Sequence, residues 1–228
     1  QENGPERINI KQELFKQLDA YTPSSVLLVS SSSGIVPTIF QSQAVHPERI
    51  LLGHPFNPPH LIPLVEVCGG EKTSEEAISR TIAFYASIGK KPIHLKKEVK
   101  GHVANRLQAA LWQEAFHLVQ QGVASVKDID TAISEGPGLR WALLGPFMNL
   151  HLSGGDAGIR HMLEHLGPPM ESWMRDLGKV SINDDLINGL TSGVDEMLKD
   201  KNLPELIAER DQLLSQIERL KSQTKELS

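Results

Sequence analysis

The first hundred residues alternate short apolar runs with helical patterns, whereas the later residues have helical patterns only. Three runs are short and continuous, as in strands buried on both faces of a sheet. They are "SVLLVS" (25–30), "RILLGH" (49–54) and "PLVEVC" (63–68). Helical patterns cover 5–20 and 73–89, where Thr73 and Glu76 suit a capping box, and 91–98 suits an edge strand. This alternation predicts an α/β layer.

From Gly101 onward the apolar residues recur at helical spacing, and no strand pattern is present. Helices are predicted over 102–121, 125–136, 155–166, 183–199 and 203–222, with 134–147 as a glycine- and proline-rich connection. Ser125 and Asp128 form a predicted capping box at one of these helices. The sequence therefore predicts an α/β region over 1–99 and an all-α domain over 100–228.

Composition excludes several classes of protein. The net charge is −5 and the sequence has no basic block, which argues against a nucleic-acid partner. No apolar run approaches the roughly 20 residues of a membrane span, so no membrane association is expected. Cys68 is the single cysteine, which indicates a reducing compartment.

A histidine and a glutamate border apolar segments in "LLGHPFNPPHLIPLVEV" (51–67). His54 ends its predicted strand, because Pro58 and Pro59 have no N–H to give to a sheet. Glu66 lies inside the next strand, where an unpaired carboxylate is costly, and a neighbouring strand can bring His54 to it. A carboxylate that holds one imidazole nitrogen fixes the tautomer, and the pair can act as a general base. The alternative interpretation is a structural histidine.

The serine run "SSSSG" (30–34) follows the carboxyl end of a predicted strand, where open α/β sheets place ligands. No glycine stands two residues before any of these serines, which argues against a serine-hydrolase nucleophile elbow. The alternative interpretation is a hydrogen-bonded turn. Asn105 lies on the helix face opposite Val103 and Leu107, and its alternative interpretation is an exposed polar residue.

The sequence contains one zinc-binding pattern and lacks the standard phosphate-binding loops. "HMLEH" places His161 and His165 as in the H-x-x-E-H zinc peptidases, but no third ligand stands at a suitable spacing. A solvated helix face is therefore favoured, no metal is predicted, and a zinc hydrolase is kept only as an alternative. The sequence has no G-x-G-x-x-G and no G-x-x-x-x-G-K-[ST] phosphate-binding loop.

Several stretches together resemble the 3-hydroxyacyl-CoA dehydrogenase superfamily, especially its branch with λ-crystallin (L-gulonate 3-dehydrogenase) and carnitine dehydrogenase. They are "QENGPERINIKQELFKQLD", "SSSSGIVPT", "GHPFNPPHLIPLVEV" and "GHVANRLQAALWQEAFHLVQQGVASVKDIDTAISEGPGLRWALLGPF". The resemblance runs from residue 1 to about 150. It implies part of a Rossmann-like NAD-binding domain over 1–99 and a helical domain like that of 6-phosphogluconate dehydrogenase over 100–228.

The resemblance implies a role for each matching residue in an NAD-dependent oxidation of a 3-hydroxyl. His54 would take the hydroxyl proton and Glu66 would orient His54. Ser33 and Asn105 would hydrogen-bond the substrate oxygen, and Asn57 would support the nicotinamide. Weaker cofactor contacts are implied for Ser31, Glu2 and Lys11. Ser31 stands where acyl-CoA members have asparagine, so this contact is a departure from the family pattern.

In the family, about 100 further residues precede the position of Gln1 and carry the glycine-rich turn of the dinucleotide site. We therefore expect the full-length protein to be an enzyme, and residues 1–228 alone to bind NAD poorly.

The expected substrate is a 3-hydroxyacyl-CoA of fatty acid metabolism, with L-gulonate and carnitine as alternatives. Arg140 suits a carboxylate and Trp141 suits a quaternary ammonium, so both are candidate substrate contacts. The resemblance also implies a cytoplasmic homodimer formed through the helical domain. A hypothesis of another class is a crystallin-like structural or dimerisation module, using the apolar seam from Leu206 to Leu220.

Overall fold

Four strands form one sheet in the order β1-β2-β3-β4. Their bounds in the computed structural model, which describes residues 1–227, are β1 (Leu28–Ser30), β2 (Ile50–Pro55), β3 (Leu64–Gly69) and β4 (Lys91–Leu95). β1 pairs in parallel with β2, β3 in parallel with β4, and β2 with β3 antiparallel. The predicted α/β region is confirmed, and the predicted edge strand is at the sheet edge.

β2 and β3 are buried on both faces, as their continuous rather than alternating apolar runs predict, whereas the edge strand β4 is largely exposed. One core cluster joins β2 and β3 to a helix through residues that include Leu51 and Tyr85, and another joins β1 and β2 to other helices through Phe15 and Phe40. The helices involved are α1 (Ile8–Tyr21), α2 (Pro37–Phe40) and α3 (Glu75–Ser87).

The cap of α3 differs from the prediction by one residue. The hydroxyl of Ser74, not Thr73, accepts the hydrogen bond from the N–H of Ala77. Thr73 is engaged elsewhere, since its hydroxyl donates to the carbonyl oxygen of Ile50 at 2.6 Å. Tertiary contact with β2 therefore decides which of two adjacent hydroxyl residues caps the helix.

The chain divides into two units, Gln1–Gln108 and Ala109–Ser228. The remaining helices are α4 (Ala104–Gln120), α5 (Val126–Ser134), α6 (Pro137–Trp141), α7 (Pro146–Ser153), α8 (Gly158–Asp176), α9 (Asp184–Leu198) and α10 (Leu203–Gln223). As predicted, Ser125 caps α5 by accepting from the N–H of Asp128. Up to Leu227, no strand follows β4 and no helix is long and apolar enough to cross a membrane.

Two predictions in the helical half were wrong. Residues 134–147 are not a plain connection, because they contain α6 and the start of α7, each with a proline in its first turn. The helix predicted over 155–166 runs on to Asp176 through Pro168 and Pro169. Two prolines remove the N–H donors to the carbonyls of Glu164 and His165, and both of these residues are exposed to solvent.

Gly53, directly before His54, allows the close approach of two elements. A Cβ at this position would overlap Oη of Tyr85 and lie 2.6 Å from Cγ1 of Val29. We expect Gly53→Ala to lower the free energy of unfolding by about 1–3 kcal/mol, as overpacking does. Chemical denaturation of the two proteins measures this difference.

Gly189→Ala in α9 is the matched control, because a Cβ there has no atom within 4 Å. This change is expected to stabilise the protein by about 0.5–1 kcal/mol through helix propensity. Equal effects of the two substitutions would contradict the steric explanation.

Candidate active site

The antiparallel register of β2 and β3 places His54 directly opposite Glu66. Nδ1 of His54 lies 2.9 Å from Oε2 of Glu66, and their side chains are 7% and 0% exposed. The charge inside β3 thus has a partner on the neighbouring strand. Because strand pairing fixes the backbone of both residues, the two side chains are held in contact by the sheet itself.

The second carboxylate oxygen of Glu66 is held by the start of α4. Oε1 accepts hydrogen bonds from the backbone N–H groups of Val103 at 2.8 Å and Ala104 at 2.9 Å. These are N–H groups that a helix leaves unpaired at its first turn, where its dipole favours negative charge. Burial raises the pKa of Glu66, but the hydrogen bonds with His54 and with this helix start outweigh it and lower the pKa below its ordinary value.

An ionised Glu66 fixes the proton of a neutral His54. A carboxylate only accepts hydrogen bonds, so Nδ1 of His54 carries the proton and donates. Nε2 is then the unprotonated nitrogen, and it has no hydrogen-bond partner within residues 1–227. This arrangement leaves one imidazole nitrogen able to accept a proton from a ligand.

The serine run after β1 is a turn held by hydrogen bonds, with one exception. Ser30 donates to Oε2 of Glu2 at 2.6 Å, Ser31 donates to the Glu2 carbonyl at 2.9 Å, and Ser32 donates to Glu6. Ser33 is exposed, and its hydroxyl has no partner in the described part of the chain. Among these four hydroxyls, only that of Ser33 remains available to a ligand.

The side-chain amides of Asn57 and Asn105 have no hydrogen-bond partner in residues 1–227. Asn105 is half-buried in the first turn of α4, directly after the backbone groups that hold Glu66. Asn57 is exposed just after the end of β2. Each amide has donors and an acceptor to offer a ligand.

Glu2 and Lys11 are each other's partners. Nζ of Lys11 lies 2.9 Å from Oε2 of Glu2, and their side chains are 1% and 4% exposed. Burial raises the pKa of Glu2, but the hydrogen bonds from Ser30 and Lys11 outweigh it and lower the pKa. The pair fastens α1 to the extended segment at Glu2 that bridges to Ser30. Their implied cofactor contact stays a prediction.

His102 was not singled out from the sequence, yet it is buried beside the pair. Its side chain is among the largest that are fully buried, and its ring centroid is 5.1 Å from that of His54. Nε2 of His102 lies 3.0 Å from the carbonyl oxygen of Ser32. The only sequence signal is its position directly after Gly101, at the start of the helix predicted over 102–121, and this position does not reveal burial.

Four further candidate residues lie in the second unit. Arg140 and Trp141 are exposed residues of α6, and their substrate contact stays a prediction. His161 and His165 are exposed on α8, with stacked rings 5.8 Å apart. No group of three or more potential metal ligands occurs among the residues described, so the H-x-x-E-H pattern has no third partner there.

The ends of β1 and β2 offer groups that fit a nicotinamide. Their parallel pairing brings the serine turn and the segment after His54 to the same edge of the sheet, where α/β sheets bind ligands. The unpaired amide of Asn57 can both donate to and accept from a carboxamide. The donor set at this edge is therefore suited to the reactive end of NAD.

The lowered pKa of Glu66 predicts an acid-dependent loss of stability. Because the fold favours the ionised form, its contribution is fully present above the ordinary pKa of 4.5 and is lost as the pH falls through the lower folded value. Thermal unfolding of wild type and Glu66→Gln between neutral and acid pH tests this. The difference in stability should shrink below pH 4.5, and a constant difference would contradict the assignment.

Comparison with known proteins gives matches over most of the chain. Residues 1–99 match the family model "3-hydroxyacyl-CoA dehydrogenase, NAD binding domain", and residues 101–182 match "3-hydroxyacyl-CoA dehydrogenase, C-terminal domain". An L-carnitine dehydrogenase of Streptomyces coelicolor is 46% identical over 92% of this chain and 66% of its own length. One of Bacillus cereus is 43% identical over 95% of this chain and 67% of its own length. The chain thus spans about two thirds of these relatives.

Among solved structures, an NAD+-dependent dismutase, 5-formyl-3-hydroxy-2-methylpyridine 4-carboxylic acid 5-dehydrogenase, has a TM-score of 0.77. It is 29% identical, and the match covers 95% of this chain and 70% of that one. A Mycobacterium tuberculosis structure titled FadB2 has a TM-score of 0.60 at 26% identity, covering 84% of this chain and 64% of that one. Both matches agree with the order of an α/β region and a helical domain.

Proposed function

Since the chain belongs to the 3-hydroxyacyl-CoA dehydrogenase family, we propose that the protein oxidises the 3-hydroxyl of a small substrate to a ketone with NAD. The observation that carries the proposal is the buried contact between His54 and Glu66, which leaves Nε2 of His54 without a partner in residues 1–227. Oxidation of an alcohol needs a base at the hydroxyl, and a neutral imidazole held by a carboxylate is such a base.

In the proposed reaction, Nε2 of His54 takes the proton of the substrate hydroxyl. Glu66 stays ionised, because its second oxygen is held by two backbone N–H groups, and it stabilises the imidazolium that forms. Ser33 and Asn105 donate hydrogen bonds to the substrate oxygen as it becomes a carbonyl. The unpaired side chains of both residues support these roles.

NAD supplies the acceptor for the hydride that leaves C3 of the substrate. Asn57 would hold the carboxamide end of the nicotinamide. Ser31 uses both its N–H and its hydroxyl on the carbonyl of Glu2, and Glu2 in turn holds Lys11. These three residues would support the cofactor by fixing the edge of the sheet beside it.

We propose carnitine as the first substrate to test. Eight relatives named L-carnitine dehydrogenase are 42% to 46% identical over 92% to 97% of this chain, and they support this choice over an acyl-CoA. Carnitine carries a 3-hydroxyl, a carboxylate and a quaternary ammonium. Arg140 suits the carboxylate and Trp141 suits the ammonium by their chemistry. A 3-hydroxyacyl-CoA, the substrate class of the family description, is the second candidate, with L-gulonate as a further alternative.

A substrate panel on the full-length enzyme tests this function. NADH formation is followed with L-carnitine, D-carnitine, L-gulonate and 3-hydroxybutyryl-CoA. We expect kcat/KM to be highest for L-carnitine by about tenfold or more, because its charged groups need matching partners. A higher kcat/KM for 3-hydroxybutyryl-CoA would overturn the assignment of carnitine as the substrate. If none of the four compounds is oxidised, the proposed dehydrogenase activity is overturned.

We also propose that the second unit pairs with a second copy of the chain. Between Ala109 and Leu227 only three residues are buried, namely Gly158, Gly178 and Leu186. Large apolar side chains are exposed instead, including Phe147 at 77% and Trp173 at 63%. A helical domain of this length needs a buried apolar core, and a second copy of the same helices can supply the missing cover.

Sedimentation of the full-length protein at micromolar concentration tests the pairing. A mass of two chains is the expected result, and Trp173→Glu should shift the equilibrium toward one chain. Glu171→Gln, an exposed change on the same helix, is the control. A monomer at all concentrations would contradict the proposal.

A further inference from the structure

His102 combines burial, an unusual backbone conformation and a polar contact next to the candidate base. Its side chain is buried, with 1% of the residue exposed. Its φ is 52°, and among residues 1–227 it is the one residue other than glycine whose backbone is left-handed. Left-handed backbone is uncommon outside glycine, although histidine is enriched there relative to most residues. Such a conformation, held in place by surrounding contacts, is concentrated at functional sites.

The contact with Ser32 fixes the proton on the His102 ring. A carbonyl oxygen only accepts, so Nε2 of His102 carries the proton and donates to Ser32 across 3.0 Å. Burial and the neighbouring His54 lower the pKa of His102, whereas its hydrogen bond to Ser32 and the carboxylates of Glu66 and Glu6 act in the opposite direction. The net lowering keeps the ring neutral at neutral pH.

One residue thereby touches three parts of the candidate site. Its side chain holds the carbonyl of Ser32, which directly precedes Ser33. Its ring lies against that of His54 at a tilt of 49°. Its left-handed backbone directs the chain so that the next two N–H groups, of Val103 and Ala104, both reach Oε1 of Glu66.

We propose that His102 is a positioning residue that fixes the hydroxyl of Ser33 relative to the base His54. The proposal rests on the proposed dehydrogenase function. A substrate alcohol must meet the proton acceptor and the hydrogen-bond donor at one oxygen, so these two groups need a fixed separation. The serine turn follows β1, whereas His54 ends β2, and the buried His102 ring touches both.

A pair of variants of equal length separates positioning from packing. His102→Gln keeps a donor at about the reach of Nε2, whereas His102→Met has a similar length and no donor. Both face the same left-handed backbone, so their melting temperatures should fall by a similar amount. In the full-length enzyme, kcat of the Met variant should fall by about 10²-fold, as expected for a misplaced reacting group, with KM for NAD unchanged. The Gln variant should recover most of that loss.

The primary deuterium isotope effect on kcat gives a second readout. If the Ser33 hydroxyl is misplaced relative to the substrate oxygen, hydride transfer becomes slower relative to product release. The isotope effect should therefore increase in His102→Met and remain near the wild-type value in His102→Gln. Equal loss of kcat in both variants, with an unchanged isotope effect, would overturn the positioning role and assign His102 to packing.

NMR of the imidazole nitrogens tests the arrangement independently of turnover. His102 in the wild-type protein should appear as the neutral tautomer protonated at Nε2, and should not titrate near the ordinary histidine value of about 6.5. A proton on Nδ1, or titration near that value, would overturn the proposal. If no substrate of the panel is oxidised, the proposed function fails while this measurement still decides the contact with Ser32.

Discussion

Replacing His54 with asparagine is expected to lower the turnover of the full-length enzyme by about 10²- to 10⁴-fold, the usual contribution of a general base. The amide nitrogen of asparagine takes the place of Nδ1 and can keep the contact with Glu66, which is 2.9 Å in the wild type. No group then stands at the position of Nε2. The substrate proton loses its acceptor while the buried carboxylate keeps a partner, so the loss should appear in kcat rather than in folding.

Steady-state kinetics and a thermal melt measure the two quantities separately. His60→Asn is the matched control, because His60 is an exposed histidine between the same two strands. The control should retain wild-type turnover. A His54 variant that folds and turns over at nearly the wild-type rate would remove this residue from the mechanism.

Replacing Glu66 with glutamine is expected to lower the turnover of the full-length enzyme by a similar factor, but for a different physical reason. The amide oxygen can still accept from Val103 and Ala104, so α4 keeps its anchor. The amide nitrogen donates to Nδ1 of His54, which forces the ring proton onto Nε2. His54 then offers the substrate a proton instead of accepting one, and a wrong tautomer of this kind costs about 10⁴-fold in a serine protease triad.

Glu71→Gln, an exposed carboxylate just after β3, is the control for Glu66→Gln. Imidazole NMR of the Glu66 variant should show the proton moved from Nδ1 to Nε2 of His54. Full turnover in a variant with the moved proton would contradict the base mechanism. Glu66→Ala leaves two N–H groups and His54 without their partner, so it should destabilise the fold by about 3–5 kcal/mol.

β1, β2 and β3 could be predicted because each lies in a short continuous apolar run. In the same way, an unpaired carboxylate inside β3 pointed to His54, since the cost of burying a charge demands a partner. The short helices α2 and α6 were missed, because four or five residues carry too little periodicity. The continuation of α8 through Pro168 and Pro169 goes against local preference, and only the fold reveals it.

The site residues likewise divide into those that the sequence could predict and those that only the fold reveals. A sequence pattern can show that a serine run follows a strand, but not which hydroxyl remains unpaired. That distinction depends on Glu2 and Glu6, which lie 28 and 26 residues away from the serines that they hold. His102 was missed for the same reason, since its burial depends on Ser32, 70 residues earlier. The roles of these residues remain predictions until the variants are measured.

The hairpin of β2 and β3 has a consequence for the order in which the contacts form. His54 and Glu66 are 12 residues apart in the chain, whereas Glu66 and Val103 are 37 apart and Ser32 and His102 are 70 apart. Closing the longest of these loops costs about 1.5 kcal/mol more chain entropy than closing the shortest. The contact between His54 and Glu66 should therefore form early in folding and be lost late as denaturant is added. The contact between Ser32 and His102, which holds the serine turn, should form later, because it joins distant segments of the chain.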